Sequence, residues 1–200
     1  AGYISTQSTS ETPALDVTRR MVNHMRPRGP DAEGLWTGEG VVLGHRRLAI
    51  LDLDARAPQP MASIDGRYTI VFNGEIYNFR ELRSELEAEG VAFRTTSDTE
   101  VLLALFARDG ERMLPRLRGM FAFGIWDGQS GELFLARDPY GIKPLYYTRT
   151  ENGLLFSSTV KALLVSGLVS KEPEPAGLAG FYLWGSVPEP WTLYRDVLAL

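Results

Sequence analysis

Apolar runs separated by short turn signals dominate the second half of the chain, and they constrain its fold more than any other feature. Asp127-Gly128 separates the run at residues 120–126 from the run at residues 132–136, and Asn152-Gly153 precedes a further run at residues 154–157. Turn dipeptides between short apolar segments predict β-hairpins, and successive hairpins build antiparallel sheet. The run at residues 120–126 does not alternate apolar and polar residues, which predicts that both faces of its sheet are buried.

The first half of the chain adds helices to this pattern. Thr12-Pro13 predicts the start of one helix, with Thr12 as its N-cap. Val17, Met21, Val22 and Met25 then lie on one face of this helix, which predicts that this face is buried. Asn78 and Ser97 each precede a Glu by three residues, which is the spacing of a capping box and predicts two further helices. Residues 91–93 predict a short strand between them. Strands in consecutive groups beside helices indicate an α+β fold with two stacked antiparallel sheets and helices outside, rather than alternating β-α-β units.

Composition and charge exclude several classes of function. The 21 basic and 25 acidic residues are mixed along the chain and give a net charge of -4, so no basic face for nucleic acid is expected. No apolar run reaches the roughly 18 residues that a membrane span requires. The chain has no cysteine and two histidines, which excludes disulfides, makes a metal site unexpected and agrees with a cytoplasmic location.

Polar residues near predicted turns offer a set of groups that suits an amino acid. Asn73-Gly74-Glu75 follows the apolar strand at residues 68–71. Arg47 and Asp98 also lie next to predicted turns. A glycine after an amide can present backbone N–H groups to a ligand carbonyl, an arginine can bind a carboxylate with two hydrogen bonds, and two acids can hold an ammonium. The alternative interpretation is that these are surface ion pairs and helix caps, with Asp98 as an acid in the first turn of its helix.

Five short motifs occur in order along the chain, and together they form a specific signature. They are Arg28-Gly29-Pro30-Asp31, Gly44-His45-Arg46-Arg47-Leu48-Ala49-Ile50, Asn73-Gly74-Glu75-Ile76-Tyr77-Asn78, Ser97-Asp98-Thr99-Glu100 and Arg137-Asp138-Pro139-Tyr140-Gly141-Ile142-Lys143-Pro144-Leu145-Tyr146-Tyr147. The chain thereby resembles the glutaminase domain (class II glutamine amidotransferase domain) of glutamine-hydrolysing asparagine synthetases. The resemblance covers about residues 1–165, and residues 166–200 resemble a linker and the start of a truncated synthetase domain.

The resemblance implies a fold, a substrate and roles for particular residues. The fold would be that of the N-terminal-nucleophile hydrolases, a four-layer sandwich of two antiparallel sheets between helical layers. L-glutamine would bind with its α-carboxylate on Arg47 and its ammonium on Glu75 and Asp98. The Asn73 side chain and the Gly74 N–H would form the oxyanion hole as the catalytic groups of this chain.

The resemblance also implies what lies outside these residues. A synthetase domain in cis would use ammonia from glutamine for ATP-dependent amidation of a carboxylate such as aspartate, and it would choose the acceptor. ATP and Mg are therefore expected in that missing domain, and no cofactor is expected in this fragment. A homodimer is a further expectation, whereas nucleic acid and membrane partners are not.

The sequence departs from the family at the nucleophile. Members of the family begin with a cysteine whose thiolate attacks the glutamine amide while its own α-amine serves as base. This chain begins Ala1-Gly2-Tyr3-Ile4 and contains no cysteine. Either Ala1 replaces the nucleophile, or Ala1 to Ile4 is the later part of the strand and three residues with the cysteine are absent; the second alignment is favoured. The chain as written is expected to be inactive.

Three functional hypotheses follow from this departure. The leading one is the glutaminase domain of an asparagine-synthetase-like amidotransferase, whose intact parent hydrolyses glutamine. The alternative is a domain without a nucleophile, as in β-lactam synthetases, with a structural or glutamine-binding role. The third is a regulatory glutamine-binding module whose affinity depends on Arg47.

Overall fold

The computed structural model describes residues 1–5, 11–48 and 58–200, except for the side chains of residues 11–13. Its strands are β1 (Gly2–Ser5), β2 (Ala32–Gly38), β3 (Val41–Arg47), β4 (Met61–Ala62), β5 (Tyr68–Ile76), β6 (Gly119–Asp127), β7 (Glu132–Arg137), β8 (Tyr146–Thr150), β9 (Gly153–Ser157) and β10 (Leu198–Ala199). Its helices are α1 (Glu11–His24), α2 (Phe79–Ala88), α3 (Asp98–Asp109), α4 (Val160–Val165) and α5 (Pro175–Trp184), with short 3₁₀ helices at Arg26–Arg28 and Gly110–Arg116. The chain divides into two compact units, Ala1–Leu48 with Pro144–Leu200 and Ala49–Lys143.

The first unit is built on a six-stranded antiparallel sheet with the order β10-β8-β9-β1-β3-β2. The short strand β1 is central, because Tyr3 pairs with Val42 of β3 on one side and with Leu155 of β9 on the other. Helices α1 and α4 pack together beside this sheet. The predicted apolar face of α1 is confirmed, since Met21 and Val22 are fully buried in the core of this unit.

The second unit is a four-stranded antiparallel sheet with the order β4-β5-β6-β7. Ile70, Phe72 and Ile76 of β5 pack in one core cluster with residues of α2 and α3, including Leu86 and Leu102. Successive side chains of a strand point to opposite faces of its sheet. The residues of β5 that alternate with this apolar set, among them the candidate site residues Asn73 and Glu75, therefore lie on the face away from the helices.

The hairpins predicted in the second half are confirmed. β6 and β7 pair around a loop after Asp127, and β8 and β9 pair around a tight turn. In the second hairpin Thr150 pairs with Gly153, so the turn residues are Glu151 and Asn152, one position earlier than the dipeptide suggested. Gly153 is required in the strand because an added Cβ would lie 1.9 Å from the Ile4 carbonyl oxygen.

Two local predictions around α2 are wrong. Asn78 precedes the helix, but its side chain makes no capping hydrogen bond. Instead its Nδ2 donates to the Arg116 carbonyl oxygen at 3.0 Å, and its Oδ1 accepts from the Arg118 N–H at 3.0 Å. An amide side chain can serve as donor and acceptor at once, and here it binds a neighbouring backbone segment. Residues 91–93 do not form a strand.

The helix-start predictions elsewhere are confirmed in part. Ser97 caps α3, because its Oγ accepts from the Glu100 N–H at 3.3 Å. The Glu100 carboxylate does not return a bond to Ser97 but accepts from the N–H groups of Arg94 and Thr95. Helix α1 begins at Glu11, so Thr12 lies within its first turn and not before it.

The C-terminal segment contributes to the first unit. β10 pairs with β8, placing Leu198 opposite Tyr147, and Val197 is fully buried in the core of this unit. The structure groups residues 166–200 with residues 1–48 and 144–165, and the boundary expected at residue 165 stays a prediction for a longer chain. Among the helices of the described ranges, none combines the length and apolar character that crossing a bilayer requires.

Candidate active site

Beyond the point where β4 ends, no strand of the described residues pairs with the outer edge of β5. The Phe72 N–H donates to Gln59 Oε1 at 2.6 Å, and the Ile76 N–H donates to Asp98 Oδ2 at 3.1 Å. Both N–H groups therefore point away from β6. N–H groups two residues apart in a strand point to the same side, so the Gly74 N–H lies between them on that edge. Among the described residues, none accepts a hydrogen bond from it.

Gly74 is a glycine because the backbone of β6 lies against it. Its φ of 157° falls in a region that side-chain-bearing residues rarely adopt. An added Cβ would lie 2.2 Å from the Met120 carbonyl oxygen and 2.7 Å from the Phe121 Cα. The glycine of the motif is thus explained by close strand packing, and the same packing fixes the direction of its N–H.

Asn73 supplies a second donor next to Gly74. Its side chain is partly exposed, lies on the face of the sheet away from the helices, and has no hydrogen-bond partner in the described part of the chain. A side-chain amide and an adjacent backbone N–H are the kind of paired donors that stabilise an oxyanion.

Two carboxylates lie beside these donors. Asp98 is the first residue of α3, and its bond to the Ile76 N–H ties it to the end of β5. Burial raises the pKa of Asp98 above its usual value, and the negative charge of the exposed Glu75 raises this pKa further, while the N–H groups of Ile76 and Thr99 partly oppose the shift. An ammonium bound by both acids would relieve this repulsion.

Arg47 belongs to the first unit, where it is the last residue of β3 and pairs with Ala32. Its neighbour Arg46 donates to the Val22 carbonyl oxygen on α1 at 3.2 Å and forms an ion pair with Glu33. Because side chains alternate along a strand, Arg47 lies on the face opposite to that of Arg46. Within the second unit, the structure brings together Asn73, Gly74, Glu75 and Asp98.

The backbone of Ala1 takes part in the sheet of the first unit. Its N donates to the Gly44 carbonyl oxygen at 2.9 Å, and the Gly44 N–H donates to the Ala1 carbonyl oxygen at 2.8 Å. Burial lowers the pKa of the Ala1 amine to about 5. Ala1 therefore extends the pairing with β3 by one residue before the start of β1.

A family model described as the glutamine amidotransferase domain matches residues 1–200. The chain belongs to this family. Asparagine synthetase [glutamine-hydrolyzing] 1 of Bacillus subtilis (strain 168) is 44% identical over 96% of this chain and 29% of its own length. Asparagine synthetase B [glutamine-hydrolyzing] of Escherichia coli (strain K12) is 38% identical over 91% of this chain and 31% of its own length.

A solved structure shows the same fold as this amidotransferase domain. Glutamine phosphoribosylpyrophosphate amidotransferase from B. subtilis, complexed with ADP and GMP, matches with a TM-score of 0.70 and 25% identity, over 88% of this chain and 45% of that one. The predicted α+β class with two antiparallel sheets, of the N-terminal-nucleophile hydrolase type, is confirmed. The resemblance to the amidotransferase domains of asparagine synthetases is also confirmed.

The amidotransferase domain spans less than a third of the curated relatives named above. The activity, substrates and partners of a whole protein containing it are therefore matters for proposal. In the described residues, no group of three His, Asp or Glu side chains could hold a metal ion.

Gln59 is the residue of this site that sequence reasoning missed. It belongs to none of the five motifs. Its side chain nevertheless accepts a hydrogen bond from the N–H of Phe72, two residues before Gly74. A glutamine that replaces a backbone acceptor leaves no periodicity or spacing by which a sequence could reveal it.

Proposed function

We propose that a protein containing this amidotransferase domain hydrolyses glutamine to glutamate and ammonia. We further propose that a second domain uses the ammonia for ATP-dependent amidation of a carboxylate such as aspartate. The observation that carries the first part is a pair of donors for which the described residues offer no acceptor. They are the Asn73 amide and the Gly74 N–H, and they lie beside the carboxylates of Glu75 and Asp98.

In this proposal the donors act on the glutamine side-chain carbonyl. A thiolate attacks the amide carbon, the C=O electrons move onto oxygen, and Asn73 and Gly74 hold the resulting oxyanion. Collapse of this intermediate re-forms the C=O bond and breaks the C–N bond. The α-amine of the nucleophilic residue, which took the thiol proton, gives that proton to the departing nitrogen, which leaves as ammonia. Water then converts the remaining thioester to glutamate and free thiol. The chain contains no cysteine, so the thiol must come from a residue outside these 200, and the chain alone is expected to release no glutamate.

Recognition of the amino-acid end is assigned to charged groups. Glu75 and Asp98 would bind the ammonium, which suits their proximity and the raised pKa of Asp98. Arg47 would bind the α-carboxylate, an assignment that rests on the family motif. Replacing Arg47 with Ala is expected to weaken glutamine binding without altering the fold.

The test is to add Cys-Gly-Ile before Ala1 in the full-length protein and to measure glutamate release, with Ser-Gly-Ile as the matched control. We expect release only from the cysteine form, and a further substitution of Asn73 by Ala should lower kcat by roughly 100-fold or more. An inactive cysteine form with a correctly processed N-terminus would contradict the proposal.

The absence of cysteine favours one second candidate, a domain that binds glutamine or supports a neighbouring domain without chemistry. Under it, the cysteine form would stay inactive whether or not calorimetry detects glutamine binding to the 200-residue chain. ATP and Mg are proposed to bind outside these residues, and a cytoplasmic location and a homodimer stay predictions.

A further inference from the structure

We propose that Gln59 is a positioning residue that ends the β4–β5 ladder and so keeps the Gly74 N–H open. The catalytic readout of this inference rests on the function proposed above, whereas its structural readout does not.

Gln59 occupies the position at which the ladder would otherwise continue. Met61 of β4 pairs with Ile70, so the same register places Gln59 opposite Phe72. At that position the side-chain Oε1 of Gln59 accepts a hydrogen bond from the Phe72 N–H at 2.6 Å. A ladder that ran further would reach Gly74 and set a backbone carbonyl against its N–H. Among the described residues, strand pairing therefore ends at this side chain, one step before the donor that the site needs.

The other end of the Gln59 side chain is tied to α3. Its Nε2 donates to Thr99 Oγ1 at 3.5 Å, and the Thr99 side chain is buried. Thr99 follows Asp98, whose carboxylate holds the Ile76 N–H on the far side of Gly74. The first turn of α3 thus anchors both bonds that flank the open N–H, two residues before it and two residues after it.

This arrangement supplies what an oxyanion donor requires. The donor must keep its direction before the substrate arrives, and no protein acceptor may occupy it. The two flanking bonds fix the strand edge, and neither uses the Gly74 N–H itself. Gln59 does not touch the reacting atoms in this account but acts through the backbone of β5.

Replacement of Gln59 by Met tests the inference in the full-length protein carrying the Cys-Gly-Ile start. Methionine keeps the length of the side chain but removes the strong acceptor, so kcat for glutamate release should fall roughly 10- to 100-fold. The KM for glutamine should change by less than about threefold, because ground-state contacts are retained.

Two further variants serve as controls for Gln59→Met. Gln59→Glu retains an acceptor for the Phe72 N–H and should restore kcat to near the parent value. Gln129→Met makes the same chemical change in the exposed turn after β6 and should leave both constants unchanged. The inference is overturned if Gln59→Met matches Gln129→Met, or if Gln59→Glu loses as much kcat as Gln59→Met. Should Gln59→Met not fold, Thr99→Val is the deciding variant, because it removes the hydrogen bond from Gln59 to α3. A lowered kcat in Thr99→Val would support the inference, and an unchanged kcat would overturn it.

Amide hydrogen exchange in the 200-residue chain provides the readout that is independent of catalysis. We expect the Phe72 N–H to be protected in the parent and in Gln59→Glu, and to exchange at least about tenfold faster in Gln59→Met. Equal protection in all three forms would overturn the inference. A cysteine form that releases no glutamate while Phe72 behaves as expected would instead count against the proposed function alone.

Discussion

Gly74 shows how a single residue can be fixed by both backbone geometry and packing. An alanine there would have to adopt a φ of 157° with its Cβ 2.2 Å from the Met120 carbonyl oxygen. We expect Gly74→Ala to lower the free energy of unfolding by about 3 kcal/mol, from strain and overpacking together. Gly90→Ala is the control, because Gly90 also has a positive φ but no atom within 4 Å of the added Cβ, and it should cost only about 1 kcal/mol. Equal losses in urea unfolding would show that packing against β6 contributes nothing.

Asp98 links stability and binding with opposite signs. Its pKa is raised in the folded chain by burial and by Glu75, so the folded state disfavours the ionised carboxylate relative to the unfolded state. Asp98→Asn should therefore raise the melting temperature at pH 7, an advantage that shrinks as pH falls through the raised pKa of folded Asp98 and is lost below the ordinary aspartate pKa of 3.8. Under the proposed function, the same variant should also lose glutamine binding by calorimetry, because the proposed ammonium contact requires the charge. A variant that is less stable at pH 7 would contradict the sign.

The residues of the site were predictable to different degrees. Asn73, Gly74, Glu75 and Asp98 became candidates because the motif and the helix start carry them. The structure brings these four together, and their roles stay predictions. The two arginines at the end of β3 look alike in sequence, and only the contacts of Arg46 with α1 distinguish them. Gln59 was not predictable, because its bond depends on a register between strands that no local pattern contains.

At the scale of elements, a substitution at Asn78 can test whether its side chain caps α2 or instead binds the backbone of residues 116–118. Asp and Asn are comparable N-caps, so a capping role predicts that Asn78→Asp is tolerated. The structure predicts a loss of about 1 kcal/mol, because aspartate cannot donate to the Arg116 carbonyl oxygen. Ser97→Asp at the genuine cap of α3 is the control and should change stability by less than about 0.5 kcal/mol. Similar stabilities of Asn78→Asp and the parent in urea titration would favour the capping role.

Most elements were predictable because their signals are local. The hairpins of the second half and the apolar face of α1 follow from turn residues and helical spacing, and both are confirmed. The predicted strand at residues 91–93 failed because a short apolar run gains nothing as a strand without a partner, and Val91 and Phe93 pack on the core from an irregular segment.

At the scale of the whole molecule, the extent of the first unit can be tested through Val197. This residue is fully buried in the core of that unit although it lies beyond the domain boundary expected at residue 165. Val197→Ala should cost about 2 kcal/mol of unfolding free energy. Leu193→Ala, at a residue 36% exposed, should cost less than about 1 kcal/mol. An equally small loss for Val197→Ala would support a boundary near residue 165.

The class of the molecule was predictable from the sequence, but its strand order was not. Two antiparallel sheets follow from successive hairpins, whereas the insertion of β1 between β3 and β9 depends on pairing between distant segments. Such pairings are selected by the packing of the complete core, which no short window of sequence contains.

The central position of β1 has a consequence for the order of events during synthesis. The partner strand β9 emerges from the ribosome about 150 residues after β1. The first sheet therefore cannot be completed until most of the chain has been synthesised. Residues 49–143 form a contiguous unit that can collapse during that interval. Contacts between such distant segments also slow folding in general. We therefore expect a nascent chain stalled shortly after residue 143 has cleared the exit tunnel to protect the second unit from protease while its N-terminal strand is still cleaved.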